Sequence, residues 1–396
     1  MASWLAEIAT NEGGRLRFDR FMELAMFHPV HGYYTRRIRG IGQPGDFSTS
    51  TTLSPALGKA VFHWLAAEAK YLRLDPLIII EPGVGTGALA KLILSQMRPW
   101  SRVRYFGFDL RPESAILDES LRRQRRFRLF DSIEAALQEA HGKAIIISNE
   151  FVDAFPCRRL VRLESGWADI YLRYDDDQWR HELSPAPVSV ASSALDASFS
   201  IGQTIEIHES FHGWLASVSA QLDNGAILTI DYGGRPKEIY YRRPDGTVRG
   251  YFRQKRIEGA DILRRAGFQD LTADVNFEDL QTWGESLALK TVDYRTQREF
   301  VARWNPNALK RADAASLFTL DEQGAGTAFK VLHQRKLLPV GMSSRSSGVS
   351  CTHLLAEPDR ALPNDKPGRA GARPCREKRG TARRWRFLEP PLQPRI

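Results

Sequence analysis

One segment constrains this 396-residue chain more than any other. Leu77-Ile78-Ile79-Ile80 runs into Glu81-Pro82-Gly83-Val84-Gly85-Thr86-Gly87, after which Leu89, Leu92, Ile93 and Met97 recur at helical spacing. A continuous aliphatic run suits a strand buried on both faces of a parallel sheet. Gly83, Gly85 and Gly87 let the chain turn without a Cβ penalty and bring backbone N–H groups close to a ligand. The competing reading is an ordinary glycine-rich turn between a strand and a helix.

Similar runs at Arg104 to Phe108, Ala144 to Ile147 and Ala226 to Ile230 each end beside polar or acidic residues. Helical stretches such as Ile133 to Ala140 lie between them, so the series predicts an α/β fold, a Rossmann-like core with a mostly parallel sheet. Residues 1–75 are expected to form a helical, lid-like segment and residues 76–338 the main domain. Near 167–200, the acidic turn Asp175-Asp176-Asp177 and a Ser/Ala/Pro-rich stretch predict an inserted antiparallel excursion. Residues 339–396 have little periodic apolar content and are expected to be disordered.

Acids at the strand ends suggest what the glycine turn holds. Glu81 would repel a pyrophosphate but suits a ligand with an ammonium group, as the methionine moiety of S-adenosyl-L-methionine has. Asp109 ends the next strand 22 residues past Gly87, near the interval at which an acid reaches ribose hydroxyls. Its alternative is a helix N-cap ahead of Arg111-Pro112-Glu113. Asp131, after Phe127 to Phe130, would sit near an adenine edge or cap the helix from Ile133. The cofactor-binding set is therefore Glu81, Gly83, Gly85, Gly87, Asp109 and Asp131.

Ligands of open α/β sheets bind outside the carboxyl ends of the strands, which places Asn149, Glu150 and Asp153 at a reacting edge. Methyl transfer from a sulfonium is an in-line displacement that needs a positioned nucleophile and no covalent residue. Glu150 and Asp153 could grip the planar N–H fork of a guanidinium; otherwise Asp153 caps a helix and Glu150 is solvated. Asp231 and Tyr232 end the fifth strand, the ring walling a pocket or packing at a turn. Asp46, beside Gly45 in an aromatic, glycine-rich segment, contacts a ligand or stabilises a turn.

The formal charge of +9 would suggest nucleic acid, but residues 339–396 carry twelve Lys and Arg against five Asp and Glu, leaving the rest near neutral. Nucleic acid is thus a disfavoured partner, with the basic tail as its one candidate arm. Cys157, Cys351 and Cys375 form no CxxC pair and read as reduced thiols without a metal. No apolar run reaches the roughly 18 residues that a membrane span needs, and MASWLAEIATNEGG has no signal or transit pattern, so a cytoplasmic protein is expected.

Further motifs lie on both sides of the glycine turn. They are Arg20-Phe21-Met22, His28-Pro29 with Gly32-Tyr33-Tyr34, Gly45-Asp46-Phe47-Ser48-Thr49, Asn149 to Pro156, Asp231-Tyr232-Gly233, Gly246 to Tyr251, Asp270 to Phe277 and Phe329-Lys330-Val331-Leu332. In this order they resemble the MidA-type methyltransferase family, which includes a mitochondrial complex I assembly factor that methylates an arginine of a complex I subunit. The resemblance implies a class I methyltransferase core and a protein substrate such as a complex I subunit. Three positions depart from the family pattern: Asp109-Leu110-Arg111-Pro112 replaces Glu-x-Ser-Pro, Phe252 follows Tyr251 where a His is common, and Asp274 replaces a His. The alternatives are a small-molecule acceptor and a catalytically inert assembly protein on the same fold.

Overall fold

In the computed structural model the aliphatic runs form the centre of one large sheet. The residues described are 3–37, 55–110, 117–175, 178–184, 191–253, 255–308 and 314–337. The sheet comprises β1 (Leu77–Pro82), β2 (Val103–Phe108), β3 (Phe127–Phe130), β4 (Lys143–Asn149), β5 (Asn224–Gly234), β6 (Lys290–Thr296) and β7 (Phe329–Lys336), with Val275–Asn276 pairing at the end of β5. Its order is β3-β2-β1-β4-β5-β7-β6. Pairs among the first five strands are parallel; β7 pairs antiparallel with both β5 and β6.

Side chains alternate across the sheet, so β1 feeds two cores. Ile78 and Ile80 join Phe106, Ile146 and Ile227 beneath helices Ile133–Glu139 and Glu209–Gln221. Ile79 joins Tyr105, Ile145 and Ile147 beneath helices Pro55–Leu72 and Ala88–Gln96. Each buried Ile contributes about 1.5–3 kcal/mol of hydrophobic free energy. Layers on both faces leave the carboxyl edge of the parallel strands for a ligand.

A second, antiparallel sheet is built from Arg158–Leu163, Gly166–Asp175, Gln178–Ser184 and Thr204–Ile207, joined by Arg15–Arg17 from near the N-terminus. It begins before and ends after the expected 167–200 excursion. A short third sheet pairs Arg249–Phe252 with Lys255–Ile257 and Asp270–Thr272. A third core cluster packs helices Ser3–Asn11 and Phe18–Phe27 with Cys157, Leu172 and Leu271. Cys157 is a buried free thiol. Asp46 and residues 338–396, with Cys351 and Cys375, lie outside the described residues.

Candidate active site at the strand ends

The glycine turn follows directly from β1. Gly83, Gly85 and Gly87 have φ of 68°, 52° and 75°, all in the left-handed region that favours glycine. A Cβ on Gly83 would lie 2.9 Å from the Phe151 ring, and one on Gly87 would collide with Leu121 Cδ2. Gly83 and Val84 donate to the Phe108 carbonyl at 2.8 and 3.1 Å, tying the turn to β2. Gly87 then starts helix Ala88–Gln96. Asp109, one residue past β2, accepts the Gly85 N–H at 3.0 Å. Its carboxylate therefore sits on the turn itself; its suggested capping partners at 111–113 lie outside the described residues.

Glu81 is deeper than its place at a strand tip suggests. It is 5% exposed and accepts the Tyr105 hydroxyl at 2.6 Å. Burial pushes its pKa up to about 8, opposed by the Tyr105 bond and assisted by the charge of Asp109. A cation arriving at the turn would favour its ionised form. Asp131 is exposed, and the cap of helix Ile133–Glu139 is its neighbour Ser132, whose Oγ accepts the Ala135 N–H at 3.1 Å. Asp131 therefore does not cap this helix, contrary to the alternative its position offered.

Beyond β4 the chain bends sharply. Glu150 has φ of 52°, a conformation costly for a side-chain-bearing residue and concentrated at functional sites. Asn149 Nδ2 donates to Glu150 Oε1 at 3.3 Å, and Asn149 Oδ1 is buried without a hydrogen-bond partner. The bend is fixed by Asp231, whose Oδ2 accepts the N–H groups of Phe151, Val152 and Asp153 at 3.2, 2.9 and 3.3 Å. Asp231 is fully buried; burial and the charges of Asp153 and Glu150 hold its pKa well above the carboxylate range. It shapes the loop rather than lining an open surface.

Asp153 caps no helix. Its Oδ2 accepts the hydroxyls of Tyr232 and of Thr272, the latter at 2.7 Å, while its buried Oδ1 has no hydrogen-bond partner. Arg249 lies over the Tyr232 ring at 4.6 Å and donates to Asp274 Oδ1 at 2.7 Å. Tyr34 donates to Asp270 Oδ1 at 3.1 Å. Burial raises Asp153, and burial with the charge of Asp153 pushes Asp270 up to about 8.

Asn149, Glu150, Asp153, Asp231 and Tyr232 thus meet at one edge, and the glycine turn reaches the same edge where Gly83 faces Phe151. Three left-handed glycines, two of them crowded where a Cβ would stand, backbone donors and the orphaned Asn149 oxygen fit a nucleoside-bearing cofactor with a charged tail. Tyr34, Arg249, Asp270 and Thr272 are additional members of this edge. Tyr34, Arg249, Asp270 and Thr272 lie in motifs that carried the resemblance, yet no spacing rule connects them. No group of three or more potential metal-ligating side chains occurs among the described residues, and no described helix is long and apolar enough to cross a membrane.

Residues 57–295 match a family described as "Putative S-adenosyl-L-methionine-dependent methyltransferase". The chain is 25% identical over 299 residues to the mitochondrial protein arginine methyltransferase NDUFAF7 of Danio rerio, covering 68% of each chain. It is 26% identical over 296 residues to the Xenopus tropicalis protein of the same name, covering 67% of this chain and 66% of that one. A crystal structure from Burkholderia thailandensis, bound to S-adenosyl-homocysteine, shares the fold with a TM-score of 0.73 at 24% identity, covering 85% and 91% of the two chains. The curated relatives are named as mitochondrial proteins, which overturns the expectation of a cytoplasmic protein drawn from the opening residues. With strand order, glycine turn and this match in agreement, the chain belongs to the family of S-adenosyl-L-methionine-dependent methyltransferases.

Proposed function

We propose that this methyltransferase modifies an arginine side chain of a protein, and that the resemblance extends the substrate class to a respiratory complex I subunit. The observation that carries the reading is the left-handed Glu150, bonded to Asn149 and followed by Phe151, whose ring lies against Gly83 of the glycine turn. Gly83, Gly85 and Gly87 would hold the cofactor's amino-acid end, Asp109 its ribose and Asp131 the rim of its adenine site. Bound there, S-adenosyl-L-methionine supplies an electrophilic methyl group on a sulfonium. Glu150 and Asp153 orient the acceptor's N–H fork and keep negative charge beside a nitrogen that must shed a proton as it gains the methyl. Helix Pro55–Leu72 belongs to the core under the central sheet and not to a lid; Tyr34, from the N-terminal segment, would border the acceptor side of the edge, and the second sheet would give the protein substrate a platform.

The arginine names of the relatives support the acceptor class. Purified chain is incubated with heavy-methyl cofactor and mitochondrial protein extract, and the modified residues are identified by mass spectrometry. Heavy methyl on arginine that disappears with Glu150→Gln supports the reading. Incorporation only into the metabolite fraction, or none by a chain that binds cofactor, contradicts it.

A further inference from the structure

We propose that Asp270, held by Tyr34, is the second carboxylate of a cation receptacle whose first carboxylate is Asp153, and that this pair receives the guanidinium of the acceptor. The inference rests on the arginine reading above and adds the residues that select for positive charge. Asp270 and Thr272 are two apart on one strand, so their side chains share a face. Thr272 donates to Asp153, which places Asp270 on the side of the strand that looks toward Asp153. Tyr34 reaches the same carboxyl from the N-terminal segment.

Arg249 acts on both carboxyls, Asp153 and Asp270, through its charge, yet its ion pair is with Asp274 and with neither of them. Asp231 is satisfied by backbone N–H groups, and Asp274 is paired with both Arg243 and Arg249. Arg249 spends its other N–H contacts on the Thr247 carbonyl and the Tyr251 hydroxyl. No ion pair joins Asp153 or Asp270 to a described cation, although both are more than nine-tenths buried. Asp153 Oδ1 has no hydrogen-bond partner at all. Buried carboxyls that lack an ion pair take up protons, and a planar guanidinium supplies donors for two carboxylates at once. Both carboxyls are raised from their ordinary values, in keeping with a site waiting for positive charge.

The test is calorimetric titration of N-acetyl-arginine methylamide into the full chain saturated with S-adenosyl-homocysteine, with the neutral citrulline analogue as control. Wild type is expected to bind the arginine probe and not the citrulline one. Asp270→Asn should weaken that binding at least about tenfold, and Tyr34→Phe, which removes only the hydroxyl, by a smaller factor, as for loss of a charge-assisted bond. S-adenosyl-homocysteine affinity should change by less than about twofold, because the cation is the acceptor's and not the cofactor's. Equal probe affinity in wild type and Asp270→Asn, no binding to wild type, equal binding of citrulline, or a matching loss of S-adenosyl-homocysteine affinity would each overturn the proposal. A chain that shows the expected binding yet methylates no protein arginine would refute the proposed function and leave the receptacle standing.

Discussion

A carboxyl under the glycine turn gives the residue scale its clearest test. Glu81 has its folded pKa raised from an ordinary 4.5 to about 8, so the native state keeps a proton that the unfolded chain releases. Stability should therefore fall as pH rises from about 4.5 to about 8. Thermal melting of the cofactor-free chain should show a steeper decline over that window for wild type than for Glu81→Gln; parallel declines would contradict the assignment. Gly87→Ala places a methyl against Leu121 in a left-handed backbone, at a strain of about 1–2 kcal/mol before any clash. Calorimetry should find S-adenosyl-homocysteine affinity reduced at least tenfold; unchanged affinity would show that the turn does not carry the cofactor. The glycines and the Asp109 position were legible in the sequence because the chain places them locally. Choosing Ser132 over Asp131 as the cap was not, since adjacent capping types differ only in backbone geometry that sequence does not display.

At the scale of elements, β6 and β7 are the strands of the central sheet that sequence periodicity missed. The runs behind β1, β4 and β5 are largely aliphatic and that behind β2 is aromatic, whereas Phe329–Lys336 mixes Lys, His, Gln and Arg with Val and Leu. Its polar residues bond to several neighbouring segments, Gln334 to the Leu280 carbonyl and Lys336 to that of Ser219, and two of them reach a helix on the other face. Arg335 donates through Nε and Nη2 to Glu68 of helix Pro55–Leu72 at 2.6 and 2.7 Å, with His333 at 3.3 Å. Burial opposes the charge of Glu68, but the His333 and Arg335 bonds win and bring its pKa down to about 2. Its stabilisation is present above the ordinary 4.5 and is lost as pH falls through about 2. Glu68→Gln should cost about 2 kcal/mol in urea unfolding at neutral pH, discounted for partial exposure of the pair. A change below a few tenths would mean that β7 is held by its ladder alone. The antiparallel sheet was legible only in its middle, because pairing of Arg15–Arg17 with residues some 150 positions later leaves no local trace.

At the scale of the whole molecule, the candidate site is assembled from segments far apart in the chain: Tyr34, the glycine turn, the Asn149–Asp153 bend, Tyr232 and Asp270–Thr272. The third core cluster braces the N-terminal contribution. Phe18 is fully buried and lies 4.9 Å from the Arg159 guanidinium. Phe18→Ala should destabilise the chain by about 3–5 kcal/mol in chemical denaturation, and a loss under 1 kcal/mol would show that this segment packs independently of the sheet. What unites the three scales is the proposed placement of one cofactor across the ends of β1, β2 and β4. A crystal structure of the chain with S-adenosyl-homocysteine measures that placement directly. The ligand should contact the Gly83–Gly87 turn and Asp109, with its sulfur directed toward the Asn149–Asp153 bend. A ligand bound away from the turn, or with its sulfur facing away from that bend, would contradict it.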